Sequence, residues 1–284
     1  MTVRSVLVPV HGADSDSATL GTAFGLARDL GCHVNALHVR VDPTDAIPML
    51  GEGMSGTLVQ DLVDVTTRET SVRARRAKDF FDAAVESAGL NLAETPSAAG
   101  ASAWYTEIAG REDDLIVNAG RLVDLIVVGR PARAPEAPVG PTLNVILFET
   151  GRPVLVSPRD ARPRVAGHVA IAWNASAEAA RAVGAALPFL ARAERVTIVS
   201  VGGERAADDP CAGVARYLAW HGIDADDQVV LGHRSVGEAL YEVCGDADLV
   251  VMGAYTHSRL RELILGGTTR FMIEETDLPL LMAH

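Results

Sequence analysis

The residues best suited to chemistry in this chain lie between Val250 and Arg270, "VVMGAYTHSRLRELILGGTTR". An apolar run enters Gly253, a polar stretch follows, and Gly266-Gly267-Thr268-Thr269 opens a further helical pattern. Glycines let a ligand approach the backbone closely, and the first turn of a helix offers unpaired N–H groups at the positive end of its dipole. Together these features cradle anions, nucleotide phosphates among them. Arg270, one residue into the helix pattern, is a candidate phosphate partner. Thr256 stands where such a loop would carry another glycine; if the backbone there requires φ > 0, a β-branched residue costs about 1–2 kcal/mol. Each glycine also has a plainer use, Gly253 as the end of a strand and Gly266 as the start of a helix turn.

A second group of candidates follows the strand "HVAIAW" as Asn174-Ala175-Ser176. In a doubly wound sheet, turns after the first and fourth strands meet outside the strand carboxyl ends, where ligands bind. Val201, at the end of the next strand "VTIVSV", borders the same place. Asn174 can hydrogen-bond a base or ribose but brings no charge for a metal or for general-base work.

These candidates belong to a pattern that occurs twice. "SVLVPVHGADSDSATLGTAFGLARDLGCHVNALHV", from Ser5, matches "HVAIAWNASAEAARAVGAALPFLARAERVTIVSV", from His168, setting His11, Gly12 and Ala13 opposite Asn174, Ala175 and Ser176. "VDLIVVGRPARAPEAPVGPTLNVILFETGRPVLVSP" likewise matches the C-terminal stretch from Ala247, with Gly129 opposite Gly253 and Gly140 opposite Gly266. Each unit reads as strand, helix and strand with continuous rather than alternating apolar runs, which implies parallel strands buried on both faces. The expected organisation is a first domain over 1–160 and a second over 161–284, joined by the Pro/Arg/Gly-rich stretch "SPRDARPRVAGH". The first carries an extra loop, "DPTDAIPMLGEGMSG", and a long helix over roughly 57–87. Leu58, Leu62, Val65, Phe80, Phe81 and Val85 form its apolar face, and Arg73, Arg75, Arg76 and Lys78 form a solvated one. In the first copy of the glycine loop, Ala132 falls opposite the second glycine position, and Pro131, Pro135, Pro138 and Pro141 fill a shortened loop. Proline removes amide donors, so this copy reads as having lost its ligand.

Composition narrows the classes. The chain has 284 residues, 48% of them apolar and only 5% aromatic, enough for two α/β cores. A formal net charge of −12 argues against a nucleic-acid partner, which needs a basic face. Cys32, Cys211 and Cys244 show no metal-ligand or disulfide spacing, and the eight histidines no metal pattern. Ser15, Ser17 and Ser176 lack a nucleophile elbow. No catalytic or metal residue is therefore expected. Neither a leader nor a membrane span is expected, and the location expected is the cytoplasm.

With "AWNAS" after one strand and a Gly-loop-Gly-Gly-Thr segment after a later one, in a domain repeated in tandem, the chain resembles the universal stress protein family over nearly its whole length. The resemblance implies two tandem doubly wound domains of the adenine-nucleotide-hydrolase-like α/β class, each with a mainly five-stranded parallel sheet. In the ATP-binding branch an Asp after the first strand contacts the adenine-ribose side, and the glycines with Ser/Thr wrap the phosphates. Carried over here, Asn174 replaces that Asp, Gly253 is kept, Thr256 replaces the second glycine, and Gly266, Gly267, Thr268 and Thr269 close the loop. His11 replaces the Asp in the first half. The resemblance implies a stress-response binding or signalling protein with ATP or another adenine nucleotide in the second domain, Mg being left open. The alternatives are a nucleotide-independent interaction module with both sites decayed and, less favoured, an ATP hydrolase. It also implies that the strands near Pro153–Pro158 and Pro279–Ala283 pair within the chain as a pseudo-dimer, and that two chains associate as a homodimer. It names no protein partner.

Overall fold

The structure, a computed structural model, describes residues 2–40, 56–95, 100–131, 141–162, 166–202, 210–231, 235–254 and 266–284, and at 56–59, 62 and 141 the backbone alone. The first half contains β1 (Ser5–Pro9), α1 (Ser15–Leu30), β2 (His33–Arg40), α2 (Gly56–Ala88), β3 (Asn91–Leu92), β4 (Ser102–Ala109), α3 (Glu112–Gly120), β5 (Leu125–Val128), α4 (Pro141–Glu149) and β6 (Val154–Val156). The second contains β7 (His168–Ala172), α5 (Ala177–Leu190), β8 (Arg195–Gly202), α6 (Ala212–Ala219), β9 (Asp226–Leu231), α7 (Val236–Cys244), β10 (Leu249–Gly253), α8 (Gly267–Glu274) and β11 (Leu280–Ala283).

These strands form one sheet in the order β3-β4-β2-β1-β5-β6-β11-β10-β7-β8-β9. Pairing is parallel throughout each half and antiparallel only at the junction, where Leu280 faces Val156, Leu281 faces Leu155 and Met282 faces Val154. An antiparallel seam between two parallel sheets is what a twofold relation between like units produces. Every residue of β5, β6 and β11 is buried, as their unbroken apolar runs require when helices cover both faces. The helices α1, α2, α5 and α6 contribute to the core on one face, and α3, α4, α7 and α8 to the core on the other. The two tandem doubly wound units expected from the repeat are therefore present. The first has six strands rather than five, because the two-residue β3 adds to its outer edge.

Helix α2 departs from expectation along part of its length. Phe81 is buried edge-to-face against Phe24 at 5.8 Å, and Phe80 and Val85 pack around it. Val65, expected on the apolar face, is instead 51% exposed. The reason is length. With 33 residues against 16 in α1, its main helical neighbour, α2 has a partner for only part of its extent. Arg73, Arg75, Arg76 and Lys78 are exposed as the charge pattern indicated, two of them paired with Asp14 and Asp82.

Candidate functional site

In the second half β7 lies between β10 and β8, so the chain leaves β7 in both directions and opens a crevice at the strand carboxyl ends. A cavity of about 310 Å³ occupies that crevice, at the lower end of the roughly 300–1,000 Å³ usual for small-molecule sites. Its apolar floor comes from Ala172, Val199, Val201, Leu240 and Met252, and its polar wall from Gly266, Gly267, Thr268 and Thr269. Trp173 and Asn174 border it on the β7 side. No charged side chain lines it among the described residues.

The wall is the first turn of α8. Gly266 is the N-cap and no side chain caps the turn, leaving early amides that an incoming acceptor could satisfy. Neither Gly266 nor Gly267 has positive φ, and a Cβ added to either would meet nothing within 4 Å among the described residues. Packing among the described residues and backbone conformation thus leave the choice of glycine unexplained, whereas close approach by a ligand would explain it. Gly253 differs. Its missing Cβ would fall 2.6 Å from the Ala179 nitrogen and 2.8 Å from Glu178 Cβ, so the first turn of α5 dictates glycine there.

The turn after β7 is organised by its own side chains. Asn174 Oδ1 accepts the Ser176 N–H at 3.2 Å, and Ser176 Oγ, as N-cap of α5, accepts the Ala179 N–H at 3.0 Å. Between them Ala175 has φ 58°, the one positive φ of a non-glycine among the described residues. Such a conformation costs an alanine about 1–2 kcal/mol and tends to persist where a site requires it.

Of the residues singled out from sequence, Asn174, Val201, Gly253, Gly266, Gly267, Thr268 and Thr269 come together around the cavity. Ala175 and Ser176 belong to the adjoining turn but are not among the residues lining it. Thr256 lies outside the described residues. Arg270 does not line the cavity either; its Nε donates to Glu274 Oε2 at 2.8 Å on the helix surface. The floor residues Val199, Leu240 and Met252 were not among the site residues expected from sequence. The place of Val199 and Met252 toward the carboxyl ends of strands beside β7 is a signal that could find them, whereas Leu240, inside α7, carries none.

The corresponding crevice in the first half is filled from three directions. The carboxylate of Asp16 accepts the N–H groups of His11, Gly12 and Ala13 at 2.8, 2.7 and 3.3 Å, occupying the turn's own anion position. The backbone of α2 closes above it: a Cβ on Gly12 would lie 2.3 Å from the Arg73 carbonyl oxygen. His11 Nε2 then meets Glu112 Oε1 at 2.7 Å. Burial pushes His11 toward the neutral form, but the hydrogen bond and charge of Glu112, helped by Asp16, outweigh it and raise its pKa despite opposition from Arg73. The bond from His11 is the largest influence on Glu112 and holds its pKa below the ordinary value against burial. About 50 Å³ remains there. The proline-rich loop held responsible for this loss lies outside the described residues, apart from Pro131 and the backbone of Pro141.

No protein-family model matches the chain. It is 25% identical to a universal stress protein of Synechocystis sp. over 98% of its own length and 99% of that protein's. Among solved structures, a universal stress protein from Archaeoglobus fulgidus superposes with a TM-score of 0.69 at 17% identity, covering 100% of this chain and 99% of that one. A putative universal stress protein from Pseudomonas aeruginosa gives 0.59 at 16% identity, covering 98% and 92%. The likeness to universal stress proteins therefore runs the length of the chain in sequence and in fold.

Proposed function

We propose that this relative of the universal stress proteins is a cytoplasmic binding protein that takes one adenine nucleotide, ATP or a close relative, in the crevice of its second half. The observation that carries the reading is the pair Gly266 and Gly267. They stand at a helix N-terminus without a side-chain cap, inside a cavity at the topological switch point, and no described residue gives a packing reason for glycine. The apolar floor suits the faces of a base, and Trp173 and Asn174 border the side from which a base or ribose would be read. The amides of Gly267 and Thr268, with the hydroxyls of Thr268 and Thr269, would receive phosphate oxygens without the help of a charged side chain.

The role proposed is binding rather than turnover. Bound nucleotide would supply phosphate charge to the first turn of α8 and bias that helix. Among the described lining residues there is no carboxylate to act as a base or to hold a divalent cation, so the reading assigns no protein ligand to magnesium. No helix among the described residues is long and apolar enough to cross a membrane.

The test is to denature the purified protein, identify released small molecules, and titrate the nucleotide-free chain with ATP. Release of an adenine nucleotide, or saturable binding that raises the melting temperature, is expected. If neither occurs, the reading fails and the nucleotide-independent interaction module takes its place.

A further inference from the structure

The cavity's helix is held at its far end by a cation from the other half. Arg130 follows Gly129 after β5, at the position Ala254 occupies after β10. Its side chain is 1% exposed, and its guanidinium donates to the carbonyl oxygens of Met272 at 2.9 Å, Ile273 at 2.5 Å and Leu278. Met272 and Ile273 lie in the last turn of α8, where carbonyls run out of intrahelical partners and a cation complements the dipole. The nearest carboxylate oxygen, Asp277 Oδ1, is 3.8 Å from Nε, and Nε itself has no hydrogen-bond partner among the described residues. Three carbonyls, rather than a salt bridge, therefore place this buried charge. Burial lowers its pKa to about 10, partly offset by Asp277 and deepened slightly by Arg159, so it remains charged at neutral pH.

A second first-half arginine reinforces it. Arg159, just beyond β6, donates to Thr276 O at 3.3 Å and Glu274 O at 3.4 Å, and its backbone N–H is accepted by Asp277 Oδ1 at 2.7 Å. The opposite helix is treated differently: the carbonyl of Glu149 at the end of α4 accepts from Arg121 of its own half at 3.1 Å. Among the described residues the arginine clamp thus runs one way, from the half whose crevice is filled to the half whose crevice is open.

We infer that Arg130 is a positioning residue for the second-half cavity, fixing α8 along its axis so that Gly267, Thr268 and Thr269 stand at the cavity wall. The inference rests on reading that cavity as a nucleotide site. It gives the first half a role in a site it does not line: if α8 can slide or tilt, the binding-competent fraction falls and the apparent Kd rises in proportion.

The test uses the full-length chain. Arg130→Met should raise the apparent Kd for ATP roughly 10–100-fold, the scale of losing charge-assisted hydrogen bonds. Arg130→Lys, which keeps the charge but not the planar fork, should fall between Met and the parent. Hydrogen exchange, followed without nucleotide, should quicken at the amides of Arg270 to Glu275 in the Met variant while those of α4 keep their parent rates. A purely structural role would lower the melting temperature without singling out α8. Unchanged α8 exchange in a folded Arg130→Met protein overturns the inference, as does unchanged ATP affinity when the parent binds. Should the Met variant fail to fold, Arg159→Gln is expected to move both readouts in the same direction by a smaller factor, and no movement in either counts against the proposal. A parent that binds no ATP sinks the functional reading alone, because exchange in α8 still decides whether Arg130 holds the helix.

Discussion

After β1, three turn amides converge on the carboxylate of Asp16; after β7, the matching position is Ala179 and the turn borders a cavity. The neighbouring pairs differ in the same sense. His11 and Glu112 join across the first crevice, while their counterparts Asn174 and Val236 flank the second without such a charge pair. The backbone of α2 presses on Gly12, whereas Ala175 at the equivalent position carries a Cβ. One scaffold thus serves as a filled and an open crevice. The difference lies in a handful of side chains and one lengthened helix, α2 with 33 residues against 8 in α6, not in the strand order, which is mirrored across the seam.

The comparison breaks most severely at Gly12. Gly12→Ala places a methyl against the Arg73 carbonyl at φ 73°, and should destabilise the chain by about 2–5 kcal/mol from combined αL strain and overpacking, read from urea unfolding. A loss below about 1 kcal/mol would mean that α2 does not close this crevice. Next comes the wall of the open crevice. Gly267→Val should weaken ATP binding by roughly 100-fold, or about 2.7 kcal/mol, with little change in melting temperature, because no described residue lies within 4 Å of the missing Cβ.

Asp16→Ala removes the acceptor for three amides and should cost about 2 kcal/mol in stability, measured by the same denaturant titration. The His11–Glu112 pair has a smaller effect with a defined pH profile. Because the histidine's folded pKa is raised, its contribution is full below the unfolded value of about 6.5 and fades as pH rises through the folded pKa. Because the glutamate's is lowered, its contribution is full above about 4.3 and fades as pH falls through its folded pKa. Parent and His11→Gln should therefore differ most between about pH 4.3 and 6.5. The histidine side chain is 45% exposed, so solvent screening should keep the difference below about 1 kcal/mol. Ala175→Gly should change stability least, by under about 1 kcal/mol, since relief of αL strain is offset by the entropy of glycine.

Much of the scaffold is legible in the residues themselves. Continuous apolar strands between alanine-rich helices, written twice, lead to two parallel sheets, and Gly266 to Thr269 together with Asn174 identify the open crevice. What closes the first crevice is harder to read. Arg73 contributes there through its backbone carbonyl, which carries no residue signature, and Asp16 looks like an ordinary helix-start acid until the turn folds over it. Arg130 shows the same limit: its partners are carbonyls more than 140 residues away, and any residue type supplies a carbonyl. Gly253 was legible as important, but the close approach of α5 explains it better than a phosphate does.

The most direct measurement is the stoichiometry of ATP binding to the full chain by isothermal titration, alone and in the Gly267→Val and Glu112→Gln backgrounds. One site per chain is expected, lost with Gly267→Val and retained with Glu112→Gln. Two sites per chain, a single site that survives Gly267→Val, or no binding at all would contradict the assignment of the open second-half crevice as the nucleotide site.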